Sequence, residues 1–173
     1  MKQIILAVTA LFSFALANGQ AKEGQVEKGK WLIEVNTGFG ERVGNTSLSL
    51  TTSNGVTAYN IGAEGGYFIK NNLAIKLGLG YGDDGIQGHE TPIAYKIGAK
   101  YYIKSMIPVE LSYNGVGFGE ADLNPTYLGL QAGYALFLGK NVSIEPGVRY
   151  NFATHKQYYD NNLQFNIGFA MHF

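Results

Sequence analysis

From Lys30 to Phe173 apolar and polar residues alternate, one by one, in run after run. The stretch WLIEVNTGF puts Trp31, Ile33, Val35, Thr37 and Phe39 on one side, with Glu34, Asn36 and Gly38 on the other. Leu73, Ile75, Leu77, Leu79 and Tyr81 stand against Ala74, Lys76, Gly78 and Gly80 in the same way. Six further runs repeat the pattern, at 59–69, 93–103, 107–113, 128–136, 142–152 and 163–173. Successive side chains of a strand point to opposite faces, so a sustained period of two predicts a two-faced strand. No segment after Lys30 carries helical spacing. Eight strands in succession without helices predict an antiparallel meander. Eight are also enough to close a barrel, which removes the unpaired edges.

The links between runs add a second pattern. Lys70–Asn72, Lys104–Met106 and Gly139–Asn141 are short. Gly40–Ala58, Gly82–Pro92, Asn114–Tyr127 and Ala153–Asn162 are longer and polar. Short and long alternate strictly, which is the parity of a membrane barrel with tight turns at one rim and loops at the other. Volume decides which face points outward. The apolar face holds about forty side chains, many of them large, whereas the bore of eight strands is only wide enough for side chains to fill. The opposite face is rich in glycine and alanine. A soluble, lipocalin-like barrel with the apolar face inside is therefore rejected. The expected fold is all-β: an eight-stranded antiparallel up-and-down transmembrane β-barrel over residues 30–173. Pro146, mid-strand and without an N–H, predicts a bulge or break. Composition agrees, with charged residues at 15% of the chain against about 25% in soluble domains.

The N-terminus reads as a targeting segment. Lys2 precedes an apolar run from Ile4 to Leu16 and then small residues, the layout of a secretory signal peptide. Residues 1–19 are assigned to it, with cleavage after Ala17 or Gly19. Residues 20–29 are polar and patternless and are expected to form a loose periplasmic arm.

Aromatic residues sort to the strand ends. Trp31, Tyr67, Tyr101 and Tyr134 lie toward the short-turn end of the apolar face; Phe39, Tyr59, Tyr81, Tyr113, Tyr150 and Phe152 lie toward the long-loop end. Two such bands are expected at the two membrane interfaces. On the inner face stand Glu34, Glu64, Glu110 and Glu145 with Lys76, Lys96, Lys100 and Arg149, four acids and four bases. A balanced set suits a filled bore, because an unpaired charge there is costly. The hairpin 93–113 is expected to set Lys100 opposite Glu110, and loss of Arg149 is expected to strand a carboxylate.

The last strand, LQFNIGFAMHF, resembles the C-terminal assembly signal of bacterial outer-membrane β-barrels, here carried by Asn166, Gly168, Met171 and Phe173. With the signal peptide, eight strands and short turns, the chain resembles the small outer-membrane barrel family that includes OmpX and the OmpA membrane domain. The resemblance implies the outer membrane of a Gram-negative bacterium. It also implies a monomer among outer-membrane lipid and lipopolysaccharide, delivered by the barrel assembly machinery, with long loops free for an extracellular ligand.

Residues for chemistry are sparse. The absence of cysteine excludes disulfides, thiolate metal sites, a cysteine nucleophile and a lipidated N-terminal cysteine. Zero net charge gives no sign of nucleic-acid binding. His89 and His155 fall in different loops, and no histidine is expected near the inward Ser112 or Ser143. Asp83, Asp84, His89 and Glu90 form an acidic loop without the spacing of a defined cation site. GLGYG and GVGFG are not followed by a helix, so neither reads as a phosphate loop. No catalytic, cofactor or metal residue is assigned. The expected role is a structural or surface-interaction barrel that is not an enzyme. A narrow solute channel and a lipid-A-modifying enzyme are the alternatives.

Overall fold

A computed structural model describes residues 24–39, 46–53, 55–83, 91–117 and 124–173, without the side chains of 38, 39, 51 and 53. Ten strands are present in these parts: β1 (Trp31–Phe39), β2 (Ser47–Ser53), β3 (Val56–Lys70), β4 (Leu73–Asp83), β5 (Ile93–Ile103), β6 (Ile107–Gly117), β7 (Thr126–Gly133), β8 (Leu136–Phe137), β9 (Val142–Ala153) and β10 (Asn162–His172). They form one sheet that closes on itself. β10 pairs antiparallel with β1, from Leu32 opposite His172 to Phe39 opposite Phe165. At the seam, Trp31 and Phe173 exchange backbone hydrogen bonds of 3.1 and 2.9 Å.

The count of eight needs correcting, and the two additions have separate causes. β7 and β8 are one wall strand interrupted at Tyr134 and Ala135. Their partner there is Pro146 in β9: the Tyr134 N–H donates to the Pro146 carbonyl at 3.0 Å, but proline has no N–H to return. Register runs on across the gap, since Gly133 faces Gly147 and Leu136 faces Ile144. β2 is a true ninth strand inside the link expected from Gly40 to Ala58. β1 pairs with β3 only from Trp31 to Glu34. Above that level β2 fills the space between them, antiparallel to β3 and touching β1 in parallel at Asn36–Ser47 and Thr37–Leu48. Five of the seven residues in its run SLSLTTS are serine or threonine, which hid the alternation.

The two faces differ sharply. Ile61, Leu77, Leu79 and Leu111 are each more than 60% exposed, while Glu34, Lys76 and Lys100 are fully buried. A continuous apolar wall of this size greatly exceeds the patches of soluble monomers. The core is therefore the bore, and the apolar surface is the outside.

The segment preceding β1 is not loose over residues 24–30. Val26 and Gln25 are buried. The Asn72 N–H donates to the Val26 carbonyl at 2.7 Å, and Gly29 donates to Phe68 at 2.9 Å. The Gln25 side chain reaches the Gly139 carbonyl at 2.5 Å. This polar stretch folds across the short-turn rim. Residues 1–23, including the expected signal peptide, lie outside the described residues, as do 84–90 of the acidic loop with His89.

Candidate functional site

The bore is layered. At the short-turn rim, Leu32, Phe68, Ala74, Tyr102, Ala135, Phe137 and Ala170 form a buried cluster roofed by Val26. The Phe68 and Tyr102 rings are 5.9 Å apart, and Phe137 lies 5.4 Å from the His172 ring. Phe68 and Tyr102 occupy inward positions of β3 and β5, next to outward Tyr67 and Tyr101. A sequence reading that treats the inner face as polar passes over them. The signal lay in the doubled aromatics: of two adjacent large residues on a strand, one must enter the bore.

Above this floor lies a charge layer. Lys76 Nζ sits 2.7 Å from Glu34, 2.6 Å from Glu64 and 2.8 Å from Glu110. Lys100 Nζ sits 2.7 Å from Glu34 and 2.5 Å from Glu145. Lys96 pairs with Glu64, and with Glu110 at 3.2 Å. Arg149 Nη1 is 3.3 Å from Glu110. These contacts join β1, β3, β4, β5, β6 and β9, so the pairs run across the bore as well as around its wall. Lys100 and Glu110 are opposite in register, yet the described ion pairs of Lys100 reach instead to β1 and β9.

Arg149 behaves differently from the expectation. Glu110 keeps Lys76 and Lys96, so loss of Arg149 strands no carboxylate completely. The guanidinium instead organises neutral groups: it donates to Asn151 at 2.8 Å, Ser112 at 2.5 Å, Asn114 at 2.8 Å and Gln131 at 3.4 Å. Gly129 makes room for it, since a Cβ there would lie 2.7 Å from Arg149 Cζ. Thr46, just before β2, dips into the bore and donates to Glu64 at 2.5 Å. Gly62 permits that passage, because a Cβ would lie 2.6 Å from the Thr46 carbonyl oxygen.

One juxtaposition was not expected from strand register. Ser143 Oγ is 3.0 Å from His172 Nε2 and 2.8 Å from Glu145 Oε1. Ala170 is the direct partner of Ser143, and His172 reaches back two residues along the same face. The trio is not arranged for nucleophilic catalysis. The acid contacts the serine and not the histidine, whereas a catalytic base needs an acid behind it. Ser143 and His172 are both fully buried, with the His172 ring packed against Phe68, Tyr102 and Phe137 of the floor cluster. Among the described residues, no group of three or more His, Asp or Glu is placed to hold a metal ion.

On the outer wall, Trp31, Tyr67, Tyr81, Tyr101, Tyr113, Tyr150 and Phe152 are exposed, and Tyr59 and Tyr134 are half-buried. The side chain of Phe39 lies outside the described residues. Trp31 and Tyr67 pair at 5.0 Å on the short-turn side, and Tyr150 and Phe152 at 4.7 Å on the long-loop side. In β10 Met171 points outward, as does Phe173 just after it, while Asn166 and Gly168 face the bore. Gly168 has a local steric role, since a Cβ there would lie 2.9 Å from Asn36 Oδ1.

No family model and no curated protein matches the chain. Solved structures do. A de novo designed transmembrane β-barrel superposes with a TM-score of 0.53 at 12% identity, covering 87% of this chain and all (100%) of that one. The N-terminal β-barrel domain of Pseudomonas aeruginosa OprF superposes with a TM-score of 0.50 at 16% identity, covering 84% of this chain and 98% of that one. The likeness is one of fold. The chain has the architecture of the small outer-membrane β-barrels, the class that its terminal strand and outer wall resemble.

Proposed function

We propose that the chain is an integral outer-membrane barrel of a Gram-negative bacterium, with a structural or surface-interaction role and no open pore. The observation that carries this reading is the pair of obstructions in series: the floor cluster around Phe68 and Tyr102, and above it the charge layer reaching across the bore from β5 to β1 and β9. Water-filled bores belong to much wider barrels. The wall meets membrane lipid and lipopolysaccharide, with aromatic bands at the two interfaces. Residues 1–19 direct export, and the end of β10 is read by the assembly machinery. The protein acts as a monomer and not as an enzyme: the Ser143–His172 contact is sealed and lacks an acid behind the histidine. The long links face outward and offer the surface for a ligand.

Two measurements test this reading. Purified barrel in planar bilayers is expected to give no stable unitary conductance; large, steady steps would replace the closed-bore reading with the channel. On whole cells, an impermeant maleimide is expected to label cysteine at Ser53 or Asn161 and to leave cysteine at Asn71 unlabelled. The reverse pattern would invert the topology.

A further inference from the structure

The wall beside Pro146 is not smooth. An apolar groove of about 430 Å³ opens there on the outer surface. It is built from two registered rows crossing three strands. One row is Tyr134, Pro146 and Ile167; the other is Ala132, Val148 and Phe165. Ala132 and Pro146 project least and make the bottom, while Tyr134, Ile167 and Phe165 make the sides. Gly133 and Gly147 lie directly beneath, and neither accepts a side chain. A Cβ on Gly133 would lie 2.7 Å from the Pro146 carbonyl oxygen, and one on Gly147 would lie 2.9 Å from that of Ala132.

We propose that this groove seats one acyl chain of a membrane phospholipid. The proposal rests on the reading of the wall as lipid-facing and assigns one place on it a retained lipid. Two observations select this occupant. The hollow is continuous with the exposed apolar wall, where Val148 and Phe165 remain 41% and 57% exposed, so whatever covers the wall also enters the groove. No charged side chain lines it. A peptide would have to leave backbone groups unpaired against the apolar wall. A phospholipid leaves its head group at the interface, and only methylenes enter.

The test uses full-length mature barrel reconstituted with palmitoyl-oleoyl phosphatidylethanolamine, released into mild detergent and weighed by native mass spectrometry. Ala132→Phe fills the bottom of the groove from an exposed outward position and leaves the bore untouched. Ala63→Phe, on the exposed face of β3, is the control for added bulk. Wild type and Ala63→Phe are expected to retain one phospholipid, and Ala132→Phe none. Equal retention by wild type and Ala132→Phe overturns the proposal, as does a bare wild-type barrel. A retained free fatty acid, or a wild-type dimer that Ala132→Phe dissociates, assigns the groove to another occupant and also overturns it. Insertion into vesicles, read by heat-modified gel mobility, separates the two levels. A barrel that inserts but retains nothing defeats the seat alone; one that never inserts defeats the membrane reading and the seat with it.

Discussion

Lys100→Met is expected to destabilise the barrel by about 3–5 kcal/mol, the usual effect of removing one partner from a buried ion pair. The Lys100 side chain is fully enclosed and holds Glu34 at 2.7 Å and Glu145 at 2.5 Å. The two acids respond differently to its loss. Glu34 retains Lys76 at 2.7 Å. Glu145 retains the Tyr102 hydroxyl at 2.9 Å and the Ser143 hydroxyl at 2.8 Å, but among the described ion pairs it has no second cation. Two neutral donors do not offset a buried negative charge. Glu145→Gln in the same background removes that charge and is expected to recover most of the loss. The coupling between the two sites is then read from the double-mutant cycle. Urea unfolding of refolded protein, followed by Trp31 fluorescence, gives the free energies. A Lys100→Met barrel that unfolds at the wild-type midpoint, or a double variant no better than the single, would show that water already reaches this layer.

Some of this was legible in the sequence and some was not, for reasons that differ by element. A period of two is visible without coordinates wherever large apolar residues alternate with small or charged ones, as in β4 and β10. It fails in β2, where Ser47, Ser49 and the threonines blur the two faces. The break opposite Pro146 was foreseeable from the missing N–H, but it appears on the partner strand, splitting β7 from β8, because proline removes a bond from its neighbour as well as from itself. Strand phase also identified which charges face inward. Their pairing was beyond it, because Lys and Glu side chains reach past the directly opposite residue. Lys100 therefore bridges β1 and β9 instead of holding Glu110. The Ser143–His172 contact was missed for the same reason, since it is diagonal and depends on one side chain leaning along the strand. Residues 24–30 carry no periodicity at all. What orders them is the carbonyl of Val26 and the carbonyl and N–H of Phe68, groups that no composition reveals.

Phe173→Ser is expected to remove most heat-modifiable barrel from the outer membrane while leaving the purified protein as stable as wild type. The two halves of this expectation rest on different properties of one residue. The Phe173 backbone closes the seam through its reciprocal hydrogen bonds with Trp31, and substitution keeps those groups. Its side chain is 49% exposed at the short-turn rim, where even a charged substitution costs only about 0–1 kcal/mol. Folded-state energetics thus give little reason for an aromatic there, and a role in recognition during assembly gives a strong one. Gly168→Ala is the informative contrast within the same proposed signal. Its added methyl would lie 2.9 Å from Asn36 Oδ1 and 3.1 Å from Glu34 Oε1, so it is expected to lower the unfolding midpoint of purified barrel as well as the amount in cells. Measuring both variants by cell fractionation and by refolding from urea separates the two causes. Wild-type amounts of Phe173→Ser barrel in the outer membrane would show that the end of β10 is not read during assembly. An equally lowered midpoint for both variants would assign Phe173 to the fold and not to recognition.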